Sequence, residues 1–195
     1  WPWLGIIRAM CLAGQDDHAA ALSAVRETLQ VKPKILTGVL IESDCLCNLG
    51  KVDEAANRLR GAIAREPLML LSVRMVDILD DQNQLDEALE LLLHTDTTLH
   101  RCADKILRHW LDVSIVRNAC QLGRYDLARE RLGQLNIRSR DTRTKDYYKA
   151  LGERLDSPTP PRQSRRLEVP AIRQQYDTCA PATMTAISEF FSRPA

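Results

Sequence analysis

Gly50-Lys51-Val52-Asp53-Glu54-Ala55 returns later in the chain as Gly123-Arg124-Tyr125-Asp126-Leu127-Ala128. A weaker copy is Asn83-Gln84-Leu85-Asp86-Glu87-Ala88, and a stretched one runs from Gly14 to Ala21. The small residue of each copy, at Ala21, Ala55, Ala88 and Ala128, recurs at intervals of 34, 33 and 40 residues. Around the second copy the unit is a helical hairpin. Leu36, Val39, Leu40, Leu46 and Leu49 put apolar groups on one face of a first helix. Gly50 ends it, because a left-handed residue costs glycine nothing. Asp53 and Glu54 open a second helix, where negative charge suits the N-terminal end of the dipole. Ala55, Leu59, Ala62 and Ile63 follow at helical spacing, and the small Ala55 lets the two helices approach closely. Pro67 stops this helix, as Pro33 does one unit earlier.

The later units follow the same pattern. Leu85, Ala88, Leu89, Leu92 and Leu93 form a helical stripe. Ile106, Trp110, Val113 and Val116 or Arg117 predict a long first helix in the fourth unit, with Leu127, Ala128, Leu132 and Leu135 on its partner. The interval of 40 calls for a longer helix or an insertion here. Residues 145–155, with Tyr147, Tyr148, Leu151 and Leu155, read as a closing helix that keeps the end of the stack soluble. Over roughly residues 1–135 the intervals, the Gly–Asp-Glu–Ala core and the proline stops resemble tetratricopeptide repeats. The large aromatic residues of that consensus are mostly missing. The resemblance implies an all-α solenoid of antiparallel helix pairs over residues 1–155, a scaffold that binds a protein or peptide and does no chemistry itself.

The totals agree with a globular chain. Of 195 residues, 45% are apolar and 27% charged, and the aromatic share of 5% is low for a β-sandwich or barrel. A net charge of +1 gives no general attraction to nucleic acid or anionic lipid. The small cluster Arg138, Arg140 and Arg143 lacks interleaved aromatics and reads as a solvated loop. No apolar run reaches the ~18 residues of a membrane helix. The opening Trp1-Pro2-Trp3 reads as the interior of a longer protein. No leader is visible and the cysteine spacing is not modular, which predicts a reducing, cytoplasmic compartment. Cys11, Cys45, Cys47, Cys102 and Cys120 fall inside helical patterns and are expected as buried free thiols. Cys45 and Cys47 point to different faces, so they make no zinc pair, and no phosphate-binding loop occurs. Neither a metal nor a cofactor is expected. Asp80 and Asp81 read as a helix-ending turn.

Residues 156–168, with Pro158, Pro160 and Pro161 and little apolar content, read as an extended linker. Beyond it, Ala182, Ala186, Ile187, Phe190 and Phe191 follow a helical period, with Thr178 as N-cap and Pro181 in the first turn. Cys179 would then lie at a helix N-terminus, which favours a thiolate. The run Gln174 … Thr178-Cys179-Ala180-Pro181-Ala182-Thr183 resembles the papain-like cysteine peptidases that process bacteriocin leaders. The resemblance covers residues 169–195 only, as the start of an α+β domain. It implies Cys179 as nucleophile and Gln174, or Gln175 in its place, as an oxyanion-hole donor. Ala180 replaces the family's usual glycine. The His and the Asp or Asn that such a cysteine needs lie downstream in the family. No His follows Cys179, and His18, His94, His100 and His109 all lie in the repeat region. The expectation is therefore an interaction scaffold fused to the start of a peptidase-like domain that is not catalytically complete in this chain. The alternative is a pure adaptor with a degenerate tail.

Overall fold

A computed structural model describes residues 1–98, 105–138 and 141–156. The chain divides into two units, and every described residue lies in the first, Trp1–Pro160. The expected linker beyond Asp156 and the segment 169–195 fall outside the described residues. Among those described, nine helices and no strand occur: α1 (Pro2–Gly14), α2 (His18–Val31), α3 (Leu36–Asn48), α4 (Val52–Arg65), α5 (Met69–Asp81), α6 (Leu85–Thr98), α7 (Lys105–Gln121), α8 (Tyr125–Arg138) and α9 (Thr142–Leu155). None of them is long and apolar enough to cross a membrane. Each helix packs on the next, and α1 touches α3, α3 touches α5, and α5 touches α7. The even-numbered helices reach one another only through long side chains, as in the Arg26–Glu54 ion pair and the 2.7 Å Arg60–Glu87 pair. The odd-numbered helices therefore form the inner side of an all-α helical-repeat solenoid.

The reversals between paired helices are built alike. Asp16, Gly50, Asn83 and Gly123 all have positive φ, between 57° and 74°. Each stands five residues before a fully buried alanine: Ala21, Ala55, Ala88 or Ala128. In all four turns the left-handed residue donates its N–H to the carbonyl three residues back, at 3.0–3.2 Å. The following residue donates to the carbonyl five back, at 2.8–3.0 Å. This Schellman pattern satisfies the last carbonyls of the odd-numbered helix and sends the chain into the next. Asp53, Glu54, Asp86, Glu87 and Asp126 lie in the first turns of α4, α6 and α8, where they complement the dipole. Asp17 caps α2 by accepting from the Ala20 N–H at 3.0 Å.

Two buried ionic clusters join successive repeats of the stack. Glu42 of α3 receives Arg26 of α2 at 3.1 Å and Arg58 of α4 at 2.6 Å. Asp96 of α6 and Asp112 of α7 hold Arg108 and Arg131, with Arg108–Asp96 at 2.6 Å. Removing one member of such a cluster strands the others in a poor solvent, which makes these joints specific rather than merely adhesive.

Three sequence expectations need correction. The core stripe of α7 is not Ile106, Trp110 and Val113: Ile106 and Val113 are exposed, and the buried face carries Leu111, Ile115, Val116 and Ala119. The longer helix that the interval of 40 called for is present: α7 has 17 residues against 13 in α3 and α5. Of the cysteines expected as buried, Cys45 is, Cys47 and Cys120 are half-buried, and Cys11 is exposed; Cys102 falls outside the described residues. On α9 Tyr148 is buried, but its neighbour Tyr147 is exposed.

The turn geometry separates two kinds of substitution. Gly50→Ala and Gly123→Ala each put a Cβ on a left-handed residue and lower stability by about 1–2 kcal/mol. Asn83→Gly relieves the same strain and leaves the urea midpoint unchanged or higher. Equal losses in all three variants would refute a shared left-handed turn.

Candidate functional site

The intervals of 34, 33 and 40 bring equivalent positions of α3, α5 and α7 side by side on the inner surface. Asp44, Asp77 and Arg117 are one such set, and Cys47, Asp80 and Cys120 are another. Leu70, Val73, Trp110 and Val113 lie on the same side, exposed or half-buried. Charged side chains cross between the helices. Arg74 Nε of α5 stands 2.7 Å from Asp44 Oδ1 of α3, an ion pair set by proximity rather than by an aligned hydrogen bond. Arg117 of α7 pairs with Asp80 of α5. Four carboxylates, Asp44, Asp77, Asp80 and Asp81, thus share the surface with two guanidiniums, Arg74 and Arg117.

The electrostatics of this strip are strained. Burial pushes the Asp44 carboxyl above its ordinary range, although Arg74 pulls the other way. Burial likewise raises Asp77, against the pull of Arg74 and Arg117 and with the help of Asp80 and Asp81. Asp77 is half-buried and makes no hydrogen bond or ion pair among the described residues. Cys47 and Cys120 are held in the thiol form by burial. That suits contact surface and does not suit nucleophilic chemistry.

Of the residues singled out from the sequence, Asp80 and Asp81 belong to this strip. Gln174 and Cys179 lie outside the described residues, as does His100. The other histidines serve local structure. His18 Nε2 is 3.3 Å from Asp16 Oδ1 beside the first turn, and His109 Nε2 is 3.2 Å from the Tyr148 hydroxyl between α7 and α9. His94 meets Thr98 one turn on. Asp80 and Asp81 form the last turn of α5 itself, and Asp80 is engaged by Arg117. The inner strip as a unit was not among the sequence expectations. The signal for it was present: the three intervals, applied to the odd-numbered helices instead of the alanines, align its members.

Neither a family model nor a curated protein matches this sequence. Solved structures do. The structure of a MamA RS-1 ArsTM double mutant superposes with a TM-score of 0.55 at 14% identity, over 80% of this chain and 94% of that one. YrrB, described as a TPR protein with an unusual peptide-binding site, gives 0.54 at 14% identity over 76% of each chain. At that identity the likeness is one of fold, and it agrees with a tetratricopeptide-like solenoid.

Asp77 supplies a pH-dependent check. Its folded pKa is above the unfolded value, so its ionisation opposes folding; the penalty sets in as pH rises above the unfolded value and vanishes once pH falls below about 3.9. Asp77→Asn therefore raises the melting temperature at pH 7, and the gain shrinks toward zero as the pH approaches that value. A variant that melts lower at pH 7 would show Asp77 to be a stabilising group instead.

Proposed function

We propose that this chain is a protein-interaction scaffold whose inner strip, made by α3, α5 and α7, holds an extended segment of a partner with a basic side chain beside Asp77. One observation carries this reading. Asp77 is a half-buried carboxylate without a direct partner, in a strip where carboxylates outnumber guanidiniums. A charge kept at the expense of stability is more readily explained by binding than by folding. Lysine or arginine from a ligand would complete it, and Leu70, Val73 and Val113 offer apolar contact on either side. The peptide-binding site in the description of YrrB supports a peptide as the class of ligand.

Selection of a random peptide library against the full chain tests this. Peptides enriched by the natural chain carry Lys or Arg, and Asp77→Lys weakens them by about tenfold or more, the scale of a lost charge-assisted contact of 1.5–3 kcal/mol. Enrichment of acidic peptides, or binding indifferent to Asp77→Lys, would dismiss the inner strip as the site.

The peptidase-like segment rests on the run Gln174 … Cys179-Ala180-Pro181 alone. In a longer polypeptide that supplies a His and an Asp or Asn after Ala195, Cys179 would act as nucleophile and Gln174 as oxyanion donor, and the repeats would present the substrate. There Cys179 alkylates with iodoacetamide before Cys45 and Cys120, whose thiols burial holds protonated. If Cys45 or Cys120 labels first, the adaptor with a degenerate tail replaces this assignment.

A further inference from the structure

The ion pairs of the inner strip follow one rule, and Asp77 is where the rule stops. From α3 to α5 to α7 the repeat advances by 33 and then 40 residues, and the buried positions keep step: Ser43, Val76 and Val116 coincide, as do Leu46, Leu79 and Ala119. On this register each pair runs along the same diagonal. Asp44 of α3 corresponds to Asp77 of α5, and its partner is Arg74, three residues before that counterpart. Asp80 of α5 corresponds to Cys120 of α7, and its partner is Arg117, again three residues before. The same diagonal leads from Asp77 to position 114. Ser114 stands there, buried and neutral, as the counterpart of Arg74. So α7 has no cation at the step where Asp77 calls for one. Arg74 and Arg117 are committed to Asp44 and Asp80, and Asp77 makes no hydrogen bond or ion pair among the described residues.

The completed step between α3 and α5 shows what the incomplete one accepts. Its cation is a guanidinium, with Arg74 Nε 2.7 Å from Asp44 Oδ1. Burial raises the Cys47 thiol, and the same guanidinium beside it opposes the rise. The counterparts of Asp44 and Cys47 on α5 are Asp77 and Asp80, two carboxylates in place of a carboxylate and a thiol. A planar fork of donors can face both at once, and a guanidinium is more weakly hydrated than an ammonium, so it enters a half-buried strip at lower cost. We propose that the inner strip selects arginine over lysine: a ligand guanidinium takes, between α5 and α7, the place that Arg74 takes between α3 and α5, held by Asp77 with Asp80 beside it. This rests on the inner strip as the peptide site and adds which cation it reads.

The probes are three pools of short labelled peptides, random except for a central residue fixed as Arg, Lys or citrulline, the neutral isostere of arginine. Their retention on the immobilised full 195-residue chain is read by fluorescence. The natural chain retains the Arg pool about fivefold more strongly than the Lys pool, and the Lys pool more strongly than the citrulline pool. Asp77→Asn brings the Arg pool down to the level of the Lys pool, and a melt of the same sample at pH 7 shows that the variant is folded. Equal retention of the Arg and Lys pools, both above citrulline, would overturn the selection of arginine and leave the inner strip as the site. Equal retention of all three pools would overturn both readings. A preference for the Arg pool that survives Asp77→Asn would put the arginine elsewhere and overturn the proposal too.

Discussion

The fold depends on a fixed distance between a turn and a contact. A left-handed residue ends each odd-numbered helix, and five residues later an alanine with no exposed surface sits where the returning helix lies closest to it. Both ends of this relation are steric. The turn must adopt a backbone conformation that most side chains resist, and the contact must be small for two backbones to approach. With those two points set, the direction and phase of the returning helix follow, and its apolar residues fall on the core side. The pairs then stack, because each leaves one apolar flank that only a neighbour can cover.

Charge refines what sterics sets. On the outer side, Arg26–Glu54 and Arg60–Glu87 occupy equivalent places in successive units, as exposed pairs that contribute little individually. Between the helices, Glu42 and the Asp96–Asp112 pair are buried with arginines from neighbouring helices, where a shift of register would strand a charge. On the inner strip the same residue types are imperfectly matched, and Asp77 is left over. Matched charges mark the joints of the scaffold, and the unmatched one marks the surface proposed for a ligand.

Much of this was legible in the sequence. Gly50 and Gly123 announced their turns, and Ala55 and Ala88 their contacts. Asp16 and Asn83 occupy the same left-handed position without a glycine signature; Asn is tolerated there, and Asp16 is steadied by His18. The stripe of α7 was misjudged because Trp110, Val113 and Arg117 do share a face, but it is the inner surface. The true core face is interrupted by the buried polar residues Asp112, Ser114 and Asn118, which hide its period. Cys11 obeys the helical pattern and is exposed because α1 is the first helix of the described stack, and the side that α2 covers in α3 faces no described helix. The candidate site was hidden for a different reason. Its members are far apart in the chain and meet only when the repeats are stacked.

The buried apolar residues form two clusters, not one. The larger runs from Ile6 to Ile115, and the smaller comprises Val116, Ala119, Ala128, Leu132, Leu135, Tyr148 and Leu155. The division falls within a single turn of α7, next to the ionic cluster of Asp96, Arg108, Asp112 and Arg131. A solenoid is stable through nearest-neighbour interfaces, so a seam that exchanges apolar contact for charge lowers the coupling across it. The α8–α9 pair is thereby the part of the stack whose opening disturbs the larger cluster least, and its amides are expected to exchange ahead of those of α3 to α6.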